Sequence, residues 1–267
     1  MSARRFLSGL LAAATLAGML VMAPASAAGG SAFSDITDPT VANAAETLRV
    51  LGVVDGTGGT AFNPGGTLTR AEFCKMAVEI LGRGSEEPAQ RSRTIFTDVG
   101  PEHWARGYVN LASSITVGGS SGEDGAAGTR LIMGVGDGTF QPDRAITYGE
   151  AVTMLGRVLG YGDDNVAAGA NWYDGYVGLA QSSGLGEGLS LSGASTLTRG
   201  QAAVLFYNLL FTSPRGSDGI YLSSLGGSLE DNVIVLSTDA KADDGSSGSV
   251  FTTSGTYKTD RATFGPE

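Results

Sequence analysis

The chain has 267 residues, with 17 Lys and Arg against 27 Asp and Glu for a formal charge of −10, and it has one cysteine, Cys74. Its apolar content of 42% is too high for a disordered acidic tail, and its pI of about 4.6 excludes a basic nucleic-acid-binding protein. The 42 glycines are scattered rather than periodic, which excludes collagen, and a single cysteine excludes an intramolecular disulfide framework.

Residues 1–28 have the pattern of a secretory signal peptide. Arg4 and Arg5 precede an apolar run, and Ala25-Ser26-Ala27 provides small residues for cleavage. The alternative is a membrane anchor, for which the run is at the short limit of length. Cleavage would remove two Arg and leave 15 basic and 27 acidic residues, a mature charge of −12. We therefore expect a secreted chain with no membrane span after cleavage.

A capped amphipathic helix is predicted three times along the chain. In each case a Thr is followed three residues later by Glu or Gln, the spacing of a capping box. Apolar residues stand at offsets of 4, 7, 8, 11 and 12 from each Thr, and these positions share one face of a helix. The three boxes are Thr69 with Glu72, Thr147 with Glu150, and Thr198 with Gln201.

Upstream of each capped helix, the sequence predicts a glycine-rich loop and a shorter first helix. The first two loops contain Phe62-Asn63-Pro64 and Phe140-Gln141-Pro142. Segments 103–109 and 171–177 match closely around a shared Trp, which indicates equivalent first helices. Asp35 and Asp98, each in a Phe-x-Asp motif, are predicted to cap first helices at their N-termini. The repeated unit is therefore a helix, a loop and a capped helix.

These motifs resemble those of the S-layer homology domain. The resemblance is carried by the Phe-x-Asp openings, by Leu51-Gly52-Val53-Val54-Asp55-Gly56 and by Thr69-Arg70-Ala71-Glu72, and it extends from Phe33 to about Phe211. It implies a mainly α fold in which three repeats form a pseudo-threefold spindle around a central three-helix bundle. The repeats implied are 29–90, 91–162 with a Gly/Ser-rich insertion near 116–130, and 163–214.

The tail, residues 215–267, has a different composition. Val233-Ile234-Val235-Leu236 and the segment 250–257 are predicted to be short strands separated by turns. Two or three strands alone are only marginally stable. We therefore interpret the tail as a linker or as the start of an incomplete β module.

The resemblance implies noncovalent anchoring of a secreted protein to the bacterial cell wall or S-layer, through secondary cell wall polysaccharide. In the family, the Arg of the Thr-Arg-Ala-Glu motif lies in a groove between repeats and meets an acidic, often pyruvylated, sugar. Arg70 and Arg199 match that Arg, whereas Tyr148 replaces it in the second repeat. A guanidinium suits a carboxylate, and the free N–H groups at a helix N-terminus would favour an anion. The alternative is that each Arg pairs with a neighbouring acid.

Four further residues are candidates for polysaccharide binding. Trp104 and Trp172 either stack on a sugar ring or pack in the core, and Asp35 and Asp98 either bind the ligand or serve as caps.

Nothing in the sequence has the spacing of a catalytic carboxylate pair or triad, so we expect a binding module and no enzyme. No metal or other cofactor is predicted, because the lone His103 cannot form a His cluster and neither Asp137-Gly138 nor Asp163-Asp164 has the spacing of an EF-hand. Cys74 is expected to be a buried thiol.

Two alternative functions stay open. One is an envelope protein that self-assembles with other S-layer subunits, and the other is the anchor part of an extracellular hydrolase that continues beyond Glu267.

Overall fold

The computed structural model describes residues 33–117 and 128–227 with their side chains, and elsewhere the backbone of five short strands. The predicted signal peptide, residues 1–28, therefore lies outside the fully described residues. The contacts divide the chain into two units, one of Asp35–Tyr221 and one of Met1–Ser34 with Leu222–Glu267. The helices are α1 (Pro39–Val50), α2 (Arg70–Ile80), α3 (Glu87–Gln90), α4 (Arg106–Ser114), α5 (Tyr148–Val158), α6 (Asp174–Ser183), α7 (Arg199–Phe211) and α8 (Tyr221–Ser224). Short 3₁₀ turns lie at Gly84–Glu86 and Asp163–Asn165.

The strands are short and antiparallel, and the described fold is mainly helical, as predicted. β1 (Gly9–Ala12) pairs with β2 (Met19–Met22), and β3 (Thr116–Val117) pairs with β4 (Thr129–Arg130). Residues 118–127, which include most of the predicted Gly/Ser-rich insertion, lie outside the described residues. In the tail, β5 (Val235–Ala240), β6 (Ser249–Thr252) and β7 (Gly255–Lys258) form a three-stranded sheet in that order. The tail thus contains strands where they were predicted, with the first displaced toward the C-terminus.

The three predicted capping boxes are all present. Thr69, Thr147 and Thr198 each accept a hydrogen bond from the backbone N–H three residues later, and the Glu or Gln there accepts one from the Thr N–H. In the first box the two donor–acceptor distances are 3.2 and 2.7 Å. These caps fix where α2, α5 and α7 begin.

The prediction that Asp35 and Asp98 cap first helices is wrong. Asp38 is the N-cap of α1, and α4 begins without a side-chain cap. Asp35 instead accepts hydrogen bonds from the N–H groups of Phe62 and Asn63 at 2.8 and 2.7 Å. Asp98 binds the equivalent pair in the second loop, Phe140 and Gln141, at the same distances.

The loop backbone explains why these carboxylates bind there. Asn63 and Gln141 adopt left-handed φ angles of 59° and 57°. Such a turn directs consecutive N–H groups to one side, where they form a concave site for an anion. Each Asp therefore fastens the start of its unit to the loop of the same unit.

Each capped helix packs against the first helix of the following unit. α2 packs on α4, α5 on α6, and α7 on α1. α5 also contacts both α2 and α7, and the rings of Phe73 in α2 and Phe206 in α7 lie 4.9 Å apart. The buried faces of these helices consist mainly of the apolar residues expected from the sequence pattern.

A closed circuit of hydrogen bonds joins the three segments that precede the capped helices. The N–H of Leu68 donates to the carbonyl of Leu197 at 3.3 Å, the N–H of Leu197 to Ile146 at 3.0 Å, and the N–H of Ile146 to Leu68 at 3.0 Å. All three side chains are buried. The circuit brings the starts of α2, α5 and α7 to one place.

Candidate functional site: the seams at the starts of the capped helices

The start of each capped helix lies against the loop of the following unit, and we call the three resulting regions seams. Seam A is the start of α2 against residues 140–146, seam B the start of α5 against residues 191–197, and seam C the start of α7 against residues 62–68. In each seam, the first two helical N–H groups donate to loop carbonyls. In seam A, Arg70 donates to Arg144 and Ala71 to Pro142, both at 2.9 Å.

The expectation that free helix N–H groups would help to bind an anion is therefore wrong. The first two N–H groups of each capped helix are used by the neighbouring loop, and the third is used by the capping Thr. The first three N–H groups of these helices are therefore not available to an anion in a seam.

In seam A, Arg70 is buried and ion-paired. Its side chain is only 4% exposed, and its guanidinium lies over the Phe140 ring at 4.6 Å. Its Nε donates to the carbonyl of Phe140 at 2.9 Å, and a terminal nitrogen lies 2.8 Å from a carboxylate oxygen of Glu150. For Arg70, the alternative of pairing with a neighbouring acid matches the observed geometry.

Glu150 is shared by a second arginine, Arg144, which the sequence analysis missed. Terminal nitrogens of Arg144 donate to Glu150 at 2.5 and 3.3 Å, and its side chain is 37% exposed. Burial raises the pKa of Glu150, but the hydrogen bonds from Arg144 and the charge of Arg70 outweigh this effect and hold the pKa below its usual value. Glu150 is therefore a carboxylate at neutral pH, between two guanidinium groups.

Acid is expected to destabilise the protein as Glu150 becomes protonated. Because its pKa is lower in the folded state than the usual value of about 4.3, its stabilising contribution is present above about pH 4.3 and is lost as the pH falls through the folded pKa. We expect the urea concentration at the unfolding midpoint to decrease when the pH is lowered below about 4. Glu150→Gln should make the midpoint less dependent on pH.

Measuring urea midpoints between pH 7 and pH 3 tests this expectation. The comparison with Glu150→Gln separates Glu150 from Asp35, Asp137 and Asp163, whose pKa values also lie below their usual range. If Glu150→Gln keeps the full acid dependence of the unmodified protein, Glu150 does not contribute to it.

In seam C, the equivalent arginine, Arg199, is less buried than Arg70 and is not ion-paired among the described residues. Arg199 is half-buried, lies over the Phe62 ring at 5.0 Å, and donates from Nε to the carbonyl of Phe62 at 2.9 Å. A terminal nitrogen donates to the carbonyl of Asp55 at 3.2 Å. Within residues 33–117 and 128–227, Arg199 forms no ion pair with an acid.

Asp35 is electrostatically part of seam C. Hydrogen bonds from the Phe62 and Asn63 N–H groups lower the pKa of Asp35, and the charge of Arg199 adds to that effect. The side chain of Asp35 is committed to the loop backbone, so it supports the loop beside Arg199. Asp98 has the same structural position with respect to the loop that lies in seam A.

Seam B has no arginine. Tyr148 occupies the position of Arg70 and is buried, and its hydroxyl lies so close to Gly186 that a Cβ there would be 2.4 Å away. The Tyr173 ring packs directly against Gly193 and Gly149. A Cβ atom added to Gly193 would lie 2.2 Å from the ring, and one added to Gly149 would lie 2.6 Å from it. Aromatic side chains therefore fill the region where the other seams hold a guanidinium.

The two tryptophans are surface residues. Trp104 is 51% exposed and Trp172 is 64% exposed, so neither belongs to the core. Trp104 stacks on His103 at 5.9 Å, and His103 Nε2 lies 3.5 Å from a carboxylate oxygen of Asp143 in the loop of seam A. Trp172 contacts Tyr173 edge to face at 5.4 Å, beside seam B. An exposed indole face is suited to stacking on a sugar ring.

The remaining reactive residues have structural contacts. Cys74 is buried, and burial raises the pKa of its thiol to about 12. Asp137 binds the N–H and hydroxyl of Thr139, and Asp163 pairs with Arg157 at 2.8 Å.

Among the residues described with side chains, no group of three His, Cys, Asp or Glu could hold a metal ion. In that same part of the chain, no helix has both the length and the hydrophobicity needed to span a membrane.

Comparison with known proteins gives matches in the helical unit. The family model of the S-layer homology domain matches residues 33–74 and 126–152. The chain is 30% identical over 175 residues to a cell surface protein of Thermoanaerobacter kivui, covering 65% of this chain and 20% of that protein. It is 36% identical over 114 residues to a surface layer protein of Brevibacillus choshinensis, covering 43% of this chain and 9% of the relative. A cellulosome-anchoring protein of Acetivibrio thermocellus is 28% identical over 101 residues, covering 38% and 20%. The chain thus spans a fifth or less of the length of these relatives.

Proposed function

We propose, from the premise that this chain is an S-layer homology domain protein, that it anchors noncovalently to the cell wall by binding acidic, pyruvylated secondary cell wall polysaccharide. The family match and the names of the relatives support attachment at the cell surface, in a secreted and wall-associated protein. They also favour a structural, anchoring role over catalysis.

The proposal includes the architecture that the resemblance implies, a pseudo-threefold spindle of three repeats. Two observations support it. The pairings of α2 with α4, α5 with α6, and α7 with α1 have the same order in each repeat. The hydrogen bonds among Leu68, Ile146 and Leu197 return to their starting point, as a threefold arrangement requires.

Arg199 is the observation that carries the binding proposal. It is a half-buried guanidinium, held by two backbone carbonyls and by the Phe62 ring, and it forms no ion pair in the described part of the chain. The nearby Asp35 carboxylate is bound by the loop N–H groups of Phe62 and Asn63. A partly desolvated guanidinium forms stronger hydrogen bonds to a carboxylate than to a neutral group. The acidic substituent of a wall glycan supplies such a carboxylate. The acidic protein and the anionic polymer repel each other at long range, and salt screens this repulsion strongly. Salt screens the short contact between the carboxylate and Arg199 much less.

The exposed tryptophans supply the complementary apolar contact. Trp104 and Trp172 each present an indole near a seam. We propose that Trp104 stacks on a sugar ring beside the charged contact of seam A, and that Trp172 stacks on a sugar ring beside seam B, which contributes no charged contact. Asp35 and Asp98 act indirectly by holding the loops.

Arg199→Ala is expected to weaken wall binding by at least about tenfold, since a charge-assisted hydrogen bond contributes about 1.5–3 kcal/mol and about 1.4 kcal/mol is a factor of ten. The measurement is cosedimentation with wall sacculi and titration against the purified wall polymer, with and without its acidic substituent. Arg83→Ala is the matched control, because Arg83 is a surface arginine paired with Glu86. Equal binding by Arg199→Ala and Arg83→Ala, or by polymer without the substituent, would contradict the proposal.

The second candidate function is self-assembly into an envelope layer. It is favoured by the similarity to a protein named as a surface layer protein. Ordered arrays that form from purified protein without any wall polymer would support it over polysaccharide anchoring.

A further inference from the structure

The three seams differ in charge at structurally equivalent positions. Each seam combines the first residue of a capped helix with two residues of the following unit. One of these two lies three positions before the capping Thr of that unit, and the other is the Glu or Gln three positions after the same Thr. Seam A combines Arg70, Arg144 and Glu150, seam B combines Tyr148, Ser195 and Gln201, and seam C combines Arg199, Gly66 and Glu72. Seam A has two positive charges and one negative charge, whereas seam B has none.

Arg70 is not available to an external anion. It is buried, and its guanidinium is already bound to Glu150 and to backbone carbonyls. Turning it toward a ligand would leave Glu150 with one fewer partner and would abandon its contact with the Phe140 ring. Removing one partner of a buried ion pair is costly, because the remaining charge stays desolvated.

Arg144 has the opposite properties. Four of its N–H groups donate to Gln141, to the carbonyl of Ala145 and to the two carboxylate oxygens of Glu150. A guanidinium has five N–H donors, so one donor of Arg144 has no partner among the residues described with side chains. Its side chain is 37% exposed against 4% for Arg70, so this donor is the more accessible to a ligand. Since Arg70 and Arg144 share a single carboxylate, the cluster keeps one unneutralised positive charge, and its exposed end is Arg144.

The loop that carries Arg144 is connected to an exposed aromatic surface. Its neighbour Asp143 lies 3.5 Å from His103, which stacks on Trp104. The loop that supplies the charged contact at Arg144 is therefore linked, through Asp143 and His103, to the stacking contact at Trp104.

We infer that in seam A the carboxylate of a glycan is bound by Arg144, and that Arg70 only positions Glu150 beneath it. This inference rests on the proposed function and narrows it. The protein has two anion-binding seams, A through Arg144 and C through Arg199, and seam B binds no carboxylated sugar.

The inference is tested by isothermal titration of the full chain with a monosaccharide that carries a pyruvate ketal, and with its uncharged parent sugar. We expect two binding sites in the unmodified protein, one site in Arg144→Gln, one in Arg199→Gln and none in the double variant. Arg83→Gln is the control, because its side chain is 38% exposed and ion-paired with Glu86, against 37% exposed for Arg144. It should retain both sites.

The outcomes separate the inference from the proposed function. Two sites in Arg144→Gln, or a single site in the unmodified protein that only Arg199→Gln removes, would overturn the inference and leave the proposed function intact. No binding by the unmodified protein would overturn both.

If Arg144→Gln does not fold, Arg144→Lys replaces it. Lysine keeps a positive charge beside Glu150 but lacks the planar guanidinium that binds a carboxylate through two parallel hydrogen bonds. About tenfold weaker binding at one of two sites would then support the inference, and unchanged binding at both would overturn it.

Discussion

Arg70→Ala is expected to lower the free energy of unfolding by about 3 kcal/mol, the lower end of the range for breaking a buried ion pair. The substitution removes the bond to Glu150 at 2.8 Å, the hydrogen bond to the carbonyl of Phe140 and the packing over its ring. Arg144 still faces Glu150, which limits the loss. Urea unfolding monitored by tryptophan fluorescence measures it.

Arg83→Ala provides the comparison for a surface ion pair. Such pairs contribute about 0–1 kcal/mol, so this variant should unfold almost as the unmodified protein does. A loss in Arg70→Ala no larger than that in Arg83→Ala would show that Arg70 does not stabilise seam A. The contrast also matters for binding studies, because a variant that combines Arg70→Ala with Arg199→Ala would mix a loss of stability with a loss of ligand contact.

Phe206→Ala is expected to lower the free energy of unfolding by about 4 kcal/mol, within the range for a large aromatic residue in a packed core. Phe206 is completely buried in α7, and its ring lies 4.9 Å from that of Phe73 in α2. Alanine would remove the ring contact between the first and last capped helices and leave a cavity. The same urea experiment measures the effect.

Phe211→Ala is the matched control on the same helix. Phe211 is only half-buried at the end of α7, where its ring contacts Tyr207 at 5.1 Å. Its replacement should cost less than half as much as Phe206→Ala, because less apolar surface is lost. Similar losses in both variants would mean that the contact between Phe73 and Phe206 is not a main part of the core.

Local sequence patterns predicted the capped helices well. Thr69, Thr147 and Thr198 begin α2, α5 and α7 because a capping box involves residues only three positions apart. The apolar stripes are equally local, and their residues are buried as expected except Leu81, which is half-buried. These features depend on short-range geometry, which the sequence contains directly.

The environment of each arginine could not be predicted in the same way. Arg70 and Arg199 have the same position in their repeats, yet among the described residues only Arg70 is ion-paired, to Glu150 of the following unit. The equivalent acid in seam C, Glu72, accepts hydrogen bonds from the N–H and the hydroxyl of Thr69 instead. Arg144 had one sequence signal, a charge in a loop position where the other repeats have Gly66 and Ser195. Its importance follows only from the contact between units.

The error on Asp35 and Asp98 has a similar origin. An Asp shortly before a predicted helix is typical of an N-cap. Both carboxylates instead bind loop N–H groups 27 and 42 residues downstream in the chain, where a left-handed residue presents two donors together. The capping residue of α1 is Asp38, three positions later.

The packing of α7 on α1 has a consequence for how the chain is made. The partner of α1 is the last long helix of the repeats, so a growing polypeptide has no surface on which to bury the apolar side of α1 until Phe211 has been synthesised. Contacts between such distant segments also form slowly, because a long loop must close first. The nascent chain consequently stays incompletely folded at least until α7 has been made, the condition in which a polypeptide can be threaded through a narrow export channel.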